Sequence, residues 1–322
     1  MPAVKIAILD DYQRVALGLA DWRSLGPQVE LHVFDTPARD EDDLVRRLSP
    51  FDVVVAMRER TSFPASVIER LPRLRLLAST GLRNAAIDAE ACRRQGIVVS
   101  GARGARNGLA GTSEVAWALI LALHKRLVPS HAALCEGRWQ PELAQTVDGK
   151  VLGLAGLGNV GRRMAHLGRA FGMEAVAWSP NLTDERAAEV GVRRVDKAEL
   201  FAAADVVSLH LVLSDRTRSV VSATELGAMR RSAFLVNTAR AGLVDEAALI
   251  AALHDRRIAG AGLDVFWQEP LPATHPLCAM DNVVLTPHLG YATPENLAAF
   301  YAGVVDSIRG WLDGRDPTLR ST

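Results

Sequence analysis

Lys150-Val-Leu-Gly-Leu-Ala-Gly156-Leu-Gly158-Asn159-Val160-Gly161-Arg-Arg-Met-Ala165 decides how this chain is read. Val151 to Ala155 is a short apolar run suited to a buried strand. Gly156, Gly158 and Gly161 follow it with the spacing G-x-G-x-x-G. From Asn159 to about Phe171 the pattern turns helical, with Val160, Met164, Leu167 and Phe171 at steps of four, three and four. A glycine pattern alone is weak, because small residues also serve plain helix–strand packing. In the order strand, glycine turn, helix it has a physical use. Gly156 permits the tight turn, Gly158 lets backbone approach a pyrophosphate, and Gly161 lets helix and strand pack closely. A pyrophosphate then sits on the N–H groups at the positive end of a helix that Asn159 and Val160 open.

The next strand of such a unit is expected from Glu174 to Trp178. A free ribose 2′-hydroxyl usually meets an Asp or Glu at its end. Here the chain reads Trp178-Ser179-Pro180-Asn181, and the carboxylate is missing. Ser179 can hydrogen-bond a ribose hydroxyl and does not repel a 2′-phosphate, yet no Arg follows until Arg186. The expected cofactor is a nicotinamide dinucleotide, NAD, with NADP not excluded.

Working outward, 322 residues are long enough for two domains with cores of their own. Lys+Arg and Asp+Glu are equal at 37 each, so charge points to neither nucleic acid nor an anionic membrane. No apolar run reaches membrane-spanning length. The first residues lead straight into a strand without a basic, apolar leader, so no secretory signal is expected. Cys92, Cys135 and Cys278 lie far apart, show no metal-ligand spacing and read as reduced cytosolic thiols. No metal site is expected, and the location expected is cytoplasmic.

The first hundred residues alternate strands and helices. Strands are expected at Val4 to Leu9, Val29 to Phe34, Phe51 to Ala56, Leu74 to Ala78 and Ile97 to Val99. Helices are expected at Val15 to Leu25, Asp40 to Leu48, Ala65 to Leu71 and Ile87 to Gln95. That rhythm means a parallel sheet covered on both faces. Residues 101–108, with three glycines in eight, read as a connection. A long helix, apolar almost all round, follows from about Thr112 to Leu127, with Thr112 or Ser113 as its cap. After the glycine turn the rhythm resumes, with strands at Val206 to Leu211, Phe234 to Asn237, Ala259 to Val265 and Val283 to Leu285. A second break at 290–293 precedes a last helix, Pro294 to Asp313.

Ligands of an open α/β sheet bind outside the carboxyl ends of its strands. Three such ends carry polar residues without a core role: Asn237-Thr238-Ala239-Arg240, Asp264 through Glu269-Pro270, and Thr286-Pro287-His288-Leu289-Gly290. Each alone is bland. A lone Arg is usually solvated, Glu-Pro is a common loop pair, and a lone His is more often surface or core. Together they fit one chemistry. The fork of Arg240 pairs a carboxylate bidentately. His288 can exchange a proton with a hydroxyl, and a carboxylate such as Glu269 fixes its tautomer.

On these motifs the chain resembles the D-isomer-specific 2-hydroxyacid dehydrogenases over nearly its whole length. The resemblance implies two Rossmann-like, doubly wound parallel-sheet domains. The substrate domain would be discontinuous, 1–103 and 291–322, with a dinucleotide-binding domain at 104–290. It implies that Arg240 binds the substrate carboxylate and 2-oxygen, that His288 is the acid/base and that Glu269 is its partner. Thr238, Ala239, Asp264 and Gly290 would lie along the cofactor. Thr80 and Gly81 belong to a loop whose family counterpart offers N–H groups to the substrate carboxylate, although Leu82-Arg83 stands where the family has its second glycine. Arg58 and Arg60 resemble the R-x-R-T of some phosphoglycerate dehydrogenases, whose arginines face a substrate phosphate; two solvated loop arginines are the equal alternative. Ala241 replaces the family's usual Gly after the Arg. The expectation is a homodimer built through the dinucleotide domain. Its activity would be hydride transfer at C2 of a small D-2-hydroxy acid, of phosphoglycerate, glyoxylate or hydroxypyruvate type. The alternative is a nucleotide-sensing, corepressor-like regulatory module on the same fold.

Overall fold

The computed structural model describes residues 3–315. They form two compact units, one from residues 3–108 and 293–315 and one from 109–292.

The first unit holds a five-stranded sheet of β1 (Val4–Ile8), β2 (Val29–Val33), β3 (Val53–Ala56), β4 (Leu76–Thr80) and β5 (Val98–Ala102), in the order β2-β1-β3-β4-β5. Every pairing is parallel. Runs such as Val53-Val-Val-Ala56 are buried throughout, as strands covered on both faces must be. The helix Glu41–Leu48 has the acidic first turn and basic last turn read from the sequence, and Asp40 caps it by accepting from the Asp43 N–H. The helix expected at 15–25 is divided. Ala16–Leu19 is helical, Ala20 is extended, and Trp22–Leu25 is a 3₁₀ turn whose start is taken by the Asp21 side chain. A local cap thus interrupts an apolar pattern that looked continuous. The last helix, Pro294–Leu312, packs on β4 and β5.

The second unit holds β6 (Val151–Ala155), β7 (Glu174–Trp178), β8 (Arg193–Arg194), β9 (Val206–Leu209), β10 (Phe234–Asn237), β11 (Gly260–Leu263) and β12 (Val283–Leu285), in the order β12-β11-β10-β9-β6-β7-β8, again all parallel. The order reverses between β9 and β6, which is the switch point of a Rossmann-type sheet. The first unit reverses between β1 and β3, in the flavodoxin-type order. The short strand β8 and the helices Asp184–Ala188 and Lys197–Ala203 escaped the sequence reading. They have little apolar periodicity and are started by the caps Thr183 and Asp196.

The long helix runs Leu109–His124, so Thr112 and Ser113 are inside it and cap nothing. Thr112 Oγ1 donates to the Gly290 carbonyl at 2.9 Å and Ser113 Oγ to the Ala110 carbonyl at 2.7 Å. Arg126, at φ +54°, turns the chain into a separate helix, Leu127–Cys135. Ala116, Trp117, Leu119, Ile120 and Leu123 of the long helix are buried in one cluster with Leu152, Leu154, Met164 and Phe234.

Candidate active site

The glycine turn follows β6 directly. Gly156 has φ +105°, and a Cβ there would lie 2.7 Å from the His210 carbonyl. A Cβ on Gly161 would lie 2.1 Å from the Gly156 carbonyl oxygen, so both positions require glycine. Gly158 differs. A Cβ there would meet nothing within 4 Å. It is the N-cap of the helix Asn159–Ala170, and no side chain fills that helix start. The start of this twelve-residue helix therefore has no side-chain cap and open room at Gly158, which suits a pyrophosphate.

Beside the turn, the loops after β7 and β9 line a cleft of about 210 Å³ that includes Ser179, Asn181, Val212 and Arg216. Thr238 Oγ1 is buried with no hydrogen-bond partner. A capless helix start, an adjoining cleft and an unspent buried hydroxyl fit a dinucleotide. His210, after β9, rests on this turn. Its Nε2 is 2.9 Å from Ser208 Oγ, and burial pushes its pKa down to about 4, so the ring is neutral near pH 7.

Strands β10, β11 and β12 are neighbours and parallel, so their carboxyl ends share one edge of the sheet. After β10, Asn237 organises the turn. Its Oδ1 accepts from the Ala239 N–H and its Nδ2 donates to the Arg240 carbonyl, both at 3.0 Å. The half-buried Arg240 donates from Nη1 to the Ala239 carbonyl at 2.7 Å.

Asp264, at the end of β11, is fully buried. It accepts from Thr286 Oγ1 at 2.6 Å and from the Leu289 and Gly290 N–H groups at 2.7 and 2.9 Å. Burial still drives its pKa up from the ordinary value, against those bonds and the nearby His288. Asp264 thus clamps both sides of His288. His288 itself has φ +56°, a left-handed conformation costly for a side chain with a Cβ. Its Nδ1 is 2.7 Å from Glu269 Oε2, each side chain being 19% exposed. Glu269 Oε1 accepts from the Phe266 N–H at 3.0 Å, which holds the carboxylate from the other side. The Tyr291 ring meets the His288 ring edge-on at 5.5 Å.

In the first unit, Thr80 is buried and its hydroxyl accepts from the Arg58 N–H at 2.9 Å. Its side chain therefore shapes the 57–61 loop from inside. Gly81, at φ +115°, lies against the Arg58 guanidinium, 2.8 Å from where a Cβ would be. Arg60 stacks over the Tyr12 ring at 5.4 Å. Tyr12 and Thr61 both donate to the buried Asp10, at 3.0 and 2.8 Å. Arg58 lies over the Phe300 ring at 5.9 Å, so both arginines rest on aromatic rings, Arg58 with the β4 loop beside it.

Sequence reasoning missed Thr286, Tyr291, His210 and Arg216. Thr286 stood inside a quoted motif without a role. Arg216 follows β9 by several residues, and no local pattern ties that loop to Ser179. Among the described residues no group of three or more His, Cys, Asp or Glu could hold a metal ion, and no helix is long and apolar enough to cross a membrane.

Residues 117–290 match the family model of the D-isomer specific 2-hydroxyacid dehydrogenase NAD binding domain. The chain is 38% identical over 260 residues to a glyoxylate reductase of Aeropyrum pernix, covering 78% of this chain and 77% of that protein. It is 34% identical over 277 residues to a D-3-phosphoglycerate dehydrogenase of Methanocaldococcus jannaschii, covering 85% of this chain. It spans only about half of that longer relative, 52%. Among solved structures it is similar to a phosphoglycerate oxidoreductase of Vibrio cholerae, with TM-score 0.90 and 36% identity, covering 97% of this chain and 99% of that one.

Proposed function

This chain belongs to the D-isomer-specific 2-hydroxyacid dehydrogenases, and on that footing we propose that Arg240, Glu269 and His288 carry its chemistry. The activity is that of a nicotinamide-dinucleotide-linked oxidoreductase, with NAD or NADP as cofactor, acting at C2 of a 2-hydroxy or 2-oxo acid, and the regulatory alternative finds no support among these relatives. The bound nicotinamide supplies or accepts the hydride. Gly158, Asn159 and Val160 would hold its pyrophosphate, with Ser179 at the ribose and Thr238, Ala239, Asp264 and Gly290 along the rest.

In our reading Arg240 grips the carboxylate and polarises the 2-oxygen, because its planar fork matches both. With Nδ1 committed to Glu269, proton exchange with the substrate falls to His288 Nε2. In reduction it donates to the forming alkoxide; in oxidation it takes the hydroxyl proton. Asp264 serves as the positioning residue that sets His288 by its hold on 286–290. The observation that carries this proposal is the 2.7 Å His288–Glu269 contact on loops after β12 and β11, next in the sheet to β10, whose following turn holds Arg240.

The substrate class we propose is a small 2-oxo acid of the glyoxylate, hydroxypyruvate or phosphohydroxypyruvate type. The Gly81 N–H is already given to the Ala102 carbonyl at 2.8 Å, so the residues that follow Gly81 in this loop, rather than Gly81 itself, would meet the substrate carboxylate, and Arg58 and Arg60 would serve a second anionic group. We propose further a cytoplasmic homodimer joined through the dinucleotide unit, without nucleic-acid or membrane partners. Leu127 (53% exposed), Leu134 (56%), Trp139 (78%) and Leu143 (94%) support that dimer, since large apolar side chains this exposed need covering. The test follows absorbance of reduced cofactor with glyoxylate, pyruvate, hydroxypyruvate and phosphohydroxypyruvate. Turnover of none of them would remove the proposed substrate class.

A further inference from the structure

The cleft beside the nucleotide turn carries a charge that the sequence placed elsewhere. Ser179 stands where an acid would select against a 2′-phosphate, and no carboxylate lines the cleft. Arg186, the nearest Arg in sequence, sits on the helix Asp184–Ala188 and is not part of the cleft wall. Arg216 is. It arrives there because β9 and β7 flank β6 on its two sides, so the loops after both strands border the same glycine turn.

The loop that carries Arg216 is fixed from within. Thr217 Oγ1 accepts from the Ser214 N–H at 2.8 Å and donates to the Val212 carbonyl at 2.7 Å, and the Arg218 N–H bonds the Ser214 carbonyl at 2.8 Å. The guanidinium at its tip is exposed, and no hydrogen bond or ion pair engages it among the described residues. Other arginines of this unit are committed: Arg162 to Glu189, Arg193 to Glu199, Arg194 to Asp184. Asp215, next to Arg216, is exposed and not part of the cleft wall.

We propose that Arg216 is the specificity-determining residue for the cofactor's adenosine end: its guanidinium pairs a ribose 2′-phosphate, with Ser179 hydrogen-bonding the same group, so that this chain takes NADP(H). The inference rests on the dinucleotide reading of the glycine turn. A planar fork and a phosphate make paired, charge-assisted hydrogen bonds, stronger than those a ribose hydroxyl makes.

The test is direct binding, independent of turnover. The full chain is titrated calorimetrically with adenosine 2′,5′-bisphosphate and with 5′-AMP, and by fluorescence with NADPH and NADH. Wild type should prefer the 2′-phosphorylated member of each pair by about tenfold or more, the scale of one charge-assisted interaction. Arg216→Gln should abolish that preference with 5′-AMP affinity unchanged, Arg216→Lys should keep part of it, and Arg186→Gln should keep all of it. Equal binding of both members by wild type, or an undiminished preference in Arg216→Gln, overturns the role of Arg216 while the turn remains a dinucleotide site. Binding of none of the four overturns both.

Discussion

In each unit the first strand runs through a turn to a helix start, and the two units fill that place differently. In the first, the buried Asp11 supplies its own anion. Its carboxylate accepts from the Val15 and Ala16 N–H groups, both at 3.0 Å, at the start of the helix Ala16–Leu19. In the second, Gly158 supplies none, and the helix start is left to a ligand. Similar sheets thus diverge at one position: a side-chain carboxylate closes a helix start, and its absence makes an anion site. On the proposed reading this contrast goes with a division of labour in which the second unit would hold cofactor and chemistry and the first would contribute recognition.

The largest effect should come from removing the proton carrier. His288→Ala is expected to lower turnover by roughly 10²–10⁴, the scale of general acid–base catalysis, with cofactor affinity retained. Arg58→Ala in the first unit should instead raise the Michaelis constant and largely spare turnover. Steady-state kinetics of both variants decides whether the division of labour stands; equal losses of turnover would end it.

Gly158→Asp makes the second unit imitate the first. The position is extended, with room for a side chain, so the carboxylate can cap the helix. Dinucleotide affinity should fall by about 100-fold, as expected of a like charge set against the pyrophosphate, and the melting temperature should hold or rise. A calorimetric titration alongside a thermal melt reads both, and unchanged affinity would mean that the pyrophosphate lies elsewhere.

The converse change is smaller. Asp11→Ala opens the helix start of the first unit and should cost about 1–2 kcal/mol, the upper range for a lost cap, visible in urea unfolding. It should not create nucleotide binding, because the helix there is only one turn long.

The last contrast is in the pH dependence of stability, where the units should differ in sign. His210, pushed down to about 4 by burial, stays neutral when folded. As pH falls from about 6.5 toward 4 the unfolded chain takes up a proton that the folded one refuses, so stability drops by at most about 1.4 kcal/mol per pH unit. Asp10 is raised by burial, so its contribution runs the other way: it is greatest below the ordinary carboxylate pKa and is lost as pH rises through its raised value. Urea unfolding between pH 4.5 and 7 should therefore show a shallower acid decline in His210→Gln and a steeper one in Asp10→Asn. Superimposable curves for all three proteins would deny both groups a part.

Some of this was legible in the residues alone. Val151 to Ala155, the glycines after it and the helix from Asn159 obey rules that act over a few positions, so strand, turn and helix could be read from the sequence. The motifs around Arg240, Glu269 and His288 were legible too, because polar residues directly after apolar runs mark strand ends. The helix at 15–25 was misread because Asp21 restarts the chain in mid-pattern, and Thr112 was taken for a cap because its true partner, the Gly290 carbonyl, is far along the chain.

What only the tertiary structure decided was which strand ends stand side by side. Sheet order places the loop after β9 across from Ser179 and lets Asp264 grip the chain on both sides of His288. Local propensity acts between residues a turn or two apart, whereas strand adjacency is set by how helices and sheet bury their apolar faces together. The sequence alone therefore determined that there would be a nucleotide turn and three polar strand ends; packing determined that Arg216 would lie beside the first and that Asp264 would hold the last in place.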